Sequence, residues 1–364
     1  MENHRLFGEP TNPTKKSYST GENQFIYWEN CVADDVIKAK GYLEEWFANY
    51  PQEHRKRLKD DFYHKFSDAW YELFIHQLFY LQGFELQVHP ELPNSTKRPD
   101  FLATKKGYSC YIEAKVITGF SDREQGLETI RETVIDRLQQ LNLPNHLLSL
   151  DKIEFKGDGV PSLRKIIKWI EKKVGEINVP EITSESDFSN RDVLRFENDR
   201  IIILIRILSS NVKSIVLEEF EDNRPIGLIN YEVELIEGSD KAIQDAFKSK
   251  AIRYGELDKP YLMCFNLNNW KLDLHHDVNR ALLNNIGTEK GFWAVSPPKY
   301  KRVSAVLFTK AQPSDWINYK HRLILNPAPN FVYHFDYSQL TFEIVRTATD
   351  IMERKDINDI FTKN

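Results

Sequence analysis

Apolar residues recur at helical spacing over residues 33–50, where Val36, Ile37, Ala39, Tyr42, Leu43, Trp46 and Phe47 mark one face. Pro51 opens a second, very polar helix. A third spans residues 67–82 and stops at Gly83, with Ser67 or Asp68 as its expected N-cap. Residues 84–88 then alternate apolar and polar, the period of a strand. After a loop marked by Pro90, Pro93, Asn94 and Ser95, residues 100–104 and 108–117 read as a hairpin turning at Lys106-Gly107. A helix over 122–141 follows, with Leu127, Ile130, Val134, Ile135 and Leu138 as its stripe. Another starts at Pro161 and runs to residue 174, and 182–190 reads as an exposed loop. Residues 200–207 and 226–236 predict strands, the first almost continuous in Ile and Leu and so central in its sheet. Residues 240–257 predict a helix, 260–265 a strand and 275–284 a short helix. Residues 292–295, 302–308 and 331–335 read as further strands, and residues 1–24 as an irregular arm.

This alternation of helices and strands predicts an α/β chain. No internal repeat or linker divides it cleanly. The composition, 41% hydrophobic and 28% charged over 364 residues, supports a sizeable core. A formal net charge of −5 excludes a generically basic nucleic-acid binder, so any such surface must be a local basic patch. Three scattered cysteines, Cys31, Cys110 and Cys264, give neither a zinc spacing nor a disulfide framework, which points to a reducing compartment. The N-terminus lacks a signal-like apolar run, and the most apolar stretch, 201–208, is too short to span a bilayer and carries Arg206. The expectation is a cytoplasmic protein without a membrane partner.

The chemistry concentrates between residues 67 and 118. Glu113 and Lys115 lie two apart on an expected strand, so they share one face with Tyr111, about 6.6 Å apart along the backbone. Ile112, Ala114 and Val116 take the other face. Asp100 opens the neighbouring strand of the hairpin, which can bring its carboxylate beside Glu113. Two close carboxylates repel and call for a cation, and hard oxygen ligands suit Mg²⁺ or Mn²⁺ better than Zn²⁺. A metal there would polarise a phosphate and acidify a water, while the Lys115 ammonium stabilises developing negative charge. Glu-x-Lys occurs four times, starting at Glu113, Glu154, Glu171 and Glu353, but only Glu113 follows the single Pro-Asp closely, with twelve residues between Asp100 and Glu113.

A helix carrying Glu72, then Arg98-Pro99-Asp100-Phe101, then Ile112-Glu113-Ala114-Lys115, resembles the PD-(D/E)xK nuclease superfamily and its restriction-endonuclease-like fold. The match covers residues 67–117. Outside it the chain is more similar to uncharacterised bacterial members than to restriction enzymes. The resemblance implies an αβββαβ core with a mixed central sheet flanked by helices. That core would occupy residues 67–270, with an insertion at about 143–238, a helical N-terminal addition over 1–66 and a C-terminal extension over 271–364. It implies that Asp100 and Glu113, helped by the backbone carbonyl of Ala114, ligate Mg²⁺ or Mn²⁺. Lys115 would be the catalytic lysine, and Glu72 a helix carboxylate serving a second metal or a ligating water. The closing helix and strand are either 122–141 with 200–207 or 240–257 with 260–265. The second is preferred, because Lys250 and Tyr254 resemble the polar pair that some members aim at the site from this helix.

Other candidates weigh less. His76, one helical turn after Glu72, is read as a satisfied helix residue. His89 and Glu91 are candidates to line the cleft. Lys97 and Arg98 beside the motif, and Lys248, Lys250 and Arg253 on one helix, are candidate contacts to backbone phosphates, with a solvated helix face as the plainer account of the second group. His275-His276-Asp277 is a poor metal site because adjacent helical residues point apart. No glycine-rich phosphate loop is present. The expected activity is Mg²⁺-dependent hydrolysis of phosphodiester bonds, with DNA as the expected partner and bacterial genome defence or DNA processing as the setting the resemblance implies. A non-catalytic nucleic-acid-binding subunit and an RNA-directed nuclease are the alternatives. Whether the chain works alone, as a homodimer or with a partner protein is open in the sequence.

Overall fold

In the computed structural model, the described residues are 5–15, 18, 22–118, 122–143, 145–156, 161–176, 192–209, 225–229, 239–269, 272–283, 291–334, 336–344, 351–352 and 357–361. They fall into two compact units. One comprises Met1–Lys15, Asn23–Phe120 and Glu237–Asn364, the other Lys16–Glu22 and Ser121–Ile236. The second unit therefore begins ahead of residue 143 and takes in the whole helix expected at 122–141.

The first unit opens with four helices, α1 (Gln24–Asn30), α2 (Asp34–Asn49), α3 (Gln52–His64) and α4 (Phe66–Leu81). Helix α4 is apolar nearly all round, and twelve of its sixteen residues are buried, which makes it the central helix of the unit. It ends at Gly83 (φ +80°), whose left-handed backbone lets Phe84 N–H reach the Phe79 carbonyl at 3.1 Å. Strands β1 (Glu85–Val88), β2 (Phe101–Lys105) and β3 (Tyr108–Ile117) follow as an antiparallel meander. The β2–β3 turn is Lys106-Gly107, with φ of 50° and 82°, the two left-handed residues that match the twist of a tight hairpin.

The second unit holds α5 (Asp122–Gln139), β4 (His146–Phe155), α6 (Leu163–Glu176), β5 (Leu194–Glu197), β6 (Ile201–Ser209) and β7 (Ile226–Ile229). Its sheet runs β5-β6-β4-β7, with the Ile-rich β6 inside as its pattern predicts. Strand β4 is an element that the hydrophobic pattern did not reveal. The loop expected at 182–190 and the end of the strand expected at 226–236 lie outside the described residues.

The chain then returns to the first unit through α7 (Ser239–Ala251), β8 (Tyr261–Leu267), β9 (Ala305–Gln312), β10 (Asp315–Leu325), β11 (Phe342–Ile344) and the two-residue β12 (Ile351–Met352). The result is a mixed eight-stranded sheet in the order β1-β2-β3-β8-β9-β10-β11-β12, with β8 parallel to both β3 and β9. One face packs on α4 through Phe74, Ile112, Val116, Leu262 and Leu307, the other on α7 through Ile243, Phe247, Tyr261, Met263 and Phe265. Of the helix expected at 275–284, the described residues form a helical turn (His276–Val278) that continues as a π-helix (Asn279–Leu283), and residue 284 lies outside them. Two expected strands are absent. Residues 292–295 are turns whose Phe292 and Trp293 rings pack on Phe247, and 331–334 are irregular, with residue 335 outside the described set. Burial mimics strand character at 292–295, whereas at 331–334 Phe331 and Val332 are exposed apolar residues of an irregular segment. The expected caps of α4 also fail: Lys65 precedes the helix, no side chain caps it, and Asp68 lies inside the first turn.

Candidate active site

The β2–β3 ladder ends at Phe101 opposite Ile112. One step further along the same register, Asp100 faces Glu113, while β3 runs on to Ile117 paired only with β8. The backbone amides that β2 would have received are therefore taken by carboxylates. Ala114 N–H donates to Asp100 Oδ2 at 2.7 Å, and Val116 N–H to Asp68 Oδ1 at 3.3 Å. Because N–H and C=O of one strand residue point the same way, the Ala114 carbonyl opens onto this same edge.

Glu113 points to the α7 side of the sheet and is 2% exposed. Lys250 on α7 donates to its Oε1, Tyr254 O–H to its Oε2, and Arg253 comes within 3.9 Å of Oε1. Tyr254 O–H also lies 3.1 Å from the Arg98 carbonyl, which ties the loop before Asp100 to the segment after α7. Burial and the Glu113 charge hold the Tyr254 phenol well above its ordinary range, so it is a permanent donor. Burial, then the charges of Glu113 and Glu72, push the Asp100 carboxyl well up, against the pull of the Ala114 amide and Lys250.

Glu72 is buried, not solvent-facing. Its Oε1 accepts from Tyr50 O–H at 2.7 Å and from Arg57, with His89 Nε2 at 4.0 Å. It acts on Asp100 through its charge, and Tyr50 and Arg57 both engage its Oε1. His89 sits beside Glu72 and Asp100: its left-handed backbone (φ 48°) donates N–H to the Asp100 carbonyl at 2.9 Å, and burial lowers its imidazole pKa. Glu91 instead pairs with Arg98 on the exposed rim at 2.6 Å. His76 is buried between Tyr50 and Phe101, and desolvation pushes its pKa down to about 4.

Lys115 leaves the end of β3 and lies 3.1 Å from both carboxylate oxygens of Asp68, with each side chain about two-fifths exposed. Lys97 and Lys248 are exposed on the surface, Arg253 is exposed beside the site, and Lys250 is turned inward onto Glu113. Asp68, Tyr50 and Arg57 are site residues the sequence reading missed. Asp68 carried a signal, since it precedes Glu72 by one helical turn and so shares its face. Tyr50 and Arg57 carried none.

Among the described residues no three His, Cys, Asp or Glu side chains converge closely enough to hold a metal by themselves. The donor set here is two carboxylates, Asp100 and Glu113, and one backbone carbonyl. That set fits a hard divalent cation, which is held by one or two carboxylates and keeps several waters. The geometry carries the fit: Asp100 stands opposite Glu113 one step beyond the end of the ladder, and a cation there would offset the burial and the carboxylate charges that push the Asp100 carboxyl up. No helix among the described residues is long and apolar enough to cross a membrane. No family model, no curated protein and no solved structure matches the chain.

Proposed function

We propose that the chain is a divalent-metal-dependent nuclease with a restriction-endonuclease-like core, acting on DNA. The observation that carries the reading is Asp100 set opposite Glu113 where β2 ends and β3 continues to Lys115. The succession α4, β1, β2, β3, α7, β8, with β8 parallel to β3, supports it, because this is the αβββαβ order the fold requires. The whole second unit then stands as an insertion between β3 and α7, and α7 with β8 is the closing pair.

Asp100, Glu113 and the Ala114 carbonyl would hold Mg²⁺ or Mn²⁺. When bound, the cation supplies polarisation of the scissile phosphate and a more acidic attacking water. The protein's own groups do the rest. Lys250 and Tyr254 fix the Glu113 carboxylate, and the Asp100 carboxylate is aimed by the Ala114 amide. Lys115 brings a cation from the strand end to the charge that grows on the phosphate during in-line displacement. Arg253 and the exposed Lys97 and Lys248 are available for flanking phosphates. The full engagement of Glu113 by Lys250 and Tyr254 favours one second reading, a nucleic-acid-binding subunit that keeps the fold without cutting.

The test is cleavage of supercoiled plasmid and of a structured RNA with Mg²⁺ or Mn²⁺, comparing wild type with Asp100→Ala and Lys115→Ala, and with EDTA as control. Metal-dependent nicking of the plasmid, lost in both variants, is the expected result. Binding without cutting would favour the second reading, cutting confined to RNA would change the substrate, and cutting that survives both substitutions would move the site elsewhere.

A further inference from the structure

Helix α6 of the second unit is divided sharply into two faces. At 100° per residue, Arg164, Lys165, Lys168 and Lys172 fall within an arc of about 100°, and all four are exposed. The opposite arc is spent on the unit's own core: Ile166 and Ile170 are fully buried, and the Trp169 ring packs on Phe196 at 5.4 Å. Elsewhere in this unit cations are cancelled by carboxylates, as in Lys152 with Glu154 (2.5 Å), Arg206 with Asp151 (3.3 Å) and Lys156 and Arg195 with Glu197. On α6 Lys172 and Lys173 share Glu176, at 3.6 and 2.8 Å, and the exposed Glu171 borders the arc; Arg164, Lys165 and Lys168 have no ion-pair partner among the described residues.

A cationic helix whose apolar side is already buried cannot lie in a membrane by inserting that side, as amphipathic membrane helices do. What it offers is charge alone, spread over about 12 Å from Arg164 to Lys172 at 1.5 Å per residue. Duplex DNA carries one charge per ~1.7 Å of axis, so the same length presents roughly seven phosphate charges. In a chain of net charge −5, this is the local basic patch that a nucleic-acid partner requires.

We propose that the exposed face of α6 is a binding surface for the phosphate backbone of duplex DNA, an anchor on the inserted unit that is independent of base sequence. The choice of DNA among polyanions rests on the nuclease reading.

The experiment uses the full chain in EDTA and follows anisotropy of a fluorescein-labelled 30-base-pair duplex between 50 and 200 mM KCl. Wild type is compared with Lys165→Gln/Lys168→Gln/Lys172→Gln. A control, Lys38→Gln/Lys56→Gln/Lys299→Gln, removes the same charge at exposed positions of the other unit. Loss of three phosphate contacts makes the slope of log Kobs against log salt shallower by about 2.7. Over this fourfold range of salt the affinity change then shrinks by about 40-fold. The control variant is expected to keep the wild-type slope, and a duplex of unrelated sequence to give the same result. An unchanged slope in the α6 variant, or an equal fall in the control, overturns the proposal. So does binding to phosphatidylserine vesicles that depends on α6 while duplex binding does not. A wild type that cuts plasmid yet shows no α6 effect removes this surface alone. A wild type that neither cuts nor binds DNA removes the nuclease reading with it.

Discussion

Lys250→Met tests whether the site is held together by charge compensation. Glu113 is 2% exposed and the Lys250 side chain 13%, so the pair is largely out of water. Removing the cation leaves a buried carboxylate short of its strongest partner, a change that costs about 3–5 kcal/mol in buried pairs. Tyr254 O–H stays on the other oxygen and Arg253 stands 3.9 Å away, which places the expected loss near the lower end, about 3 kcal/mol. Methionine keeps the unbranched stem, so packing changes little. For a unit of this size the loss lowers the thermal midpoint by roughly 6–12 °C, read by near-UV circular dichroism in EDTA. Adding Glu113→Gln removes the stranded charge and should recover most of the loss. Mg²⁺ should also raise the midpoint of Lys250→Met more than that of wild type, because a ligand at 100 times its Kd contributes about 2.7 kcal/mol. A variant that melts within 2 °C of wild type, or one that Glu113→Gln fails to rescue, would refute the reasoning.

Three further outcomes follow from the same geometry. Asp100→Asn keeps an acceptor for the Ala114 amide but ends the repulsion with Glu113 and Glu72, so it should raise the midpoint by a few degrees while abolishing plasmid cleavage. Asp68→Asn should lower kcat about tenfold with KM unchanged, yet have no further effect in Lys115→Ala, since residues acting as a unit are not additive. The half-exposed pair itself adds under about 1 kcal/mol of stability, so the melting point is the control. Burial depresses His76 to about 4 from an unfolded value near 6.5, so its contribution is fully present above pH 6.5 and is lost as pH falls toward 4. Titrating unfolding free energy over that window should show wild type losing about 3 kcal/mol relative to His76→Phe; parallel curves would contradict it.

What could be read in the sequence was what is local. Gly83 and Lys106-Gly107 announce a helix end and a turn because left-handed backbone is scarce outside such residues, and the period-two order of Tyr111 and Glu113 gives their common face of β3, although the Lys115 ammonium pairs with Asp68 of α4. The parallel pairing of β3 with β8 is not local, and the position of Lys250 beside Glu113, 137 residues away, depends on it. The resemblance alone singles out 240–257 with 260–265 as the closing helix and strand. Tyr50 and Arg57 were hidden for another reason: Tyr50 caps the end of α2 and Arg57 sits on the polar α3, where nothing in the pattern separates a residue reaching into a site from one reaching into water. Strand β10 and strand β4 went unseen, and 292–295 was misread, because apolar residues report burial before they report period.

The split provenance of the Glu113 clamp has a consequence for synthesis on the ribosome. Helix α4 and the β1–β3 meander are contiguous, so Asp100, Glu113 and Lys115 can assemble as soon as they emerge. Lys250 follows Glu113 by 137 residues, which at about 5–20 residues per second is roughly 7–27 seconds of elongation. During that interval Glu113 lacks its ammonium partner and β3 has one open edge. The nascent chain therefore has a window in which a free divalent ion or a chaperone is the available partner for this hairpin, and the length of the inserted unit sets how long it lasts.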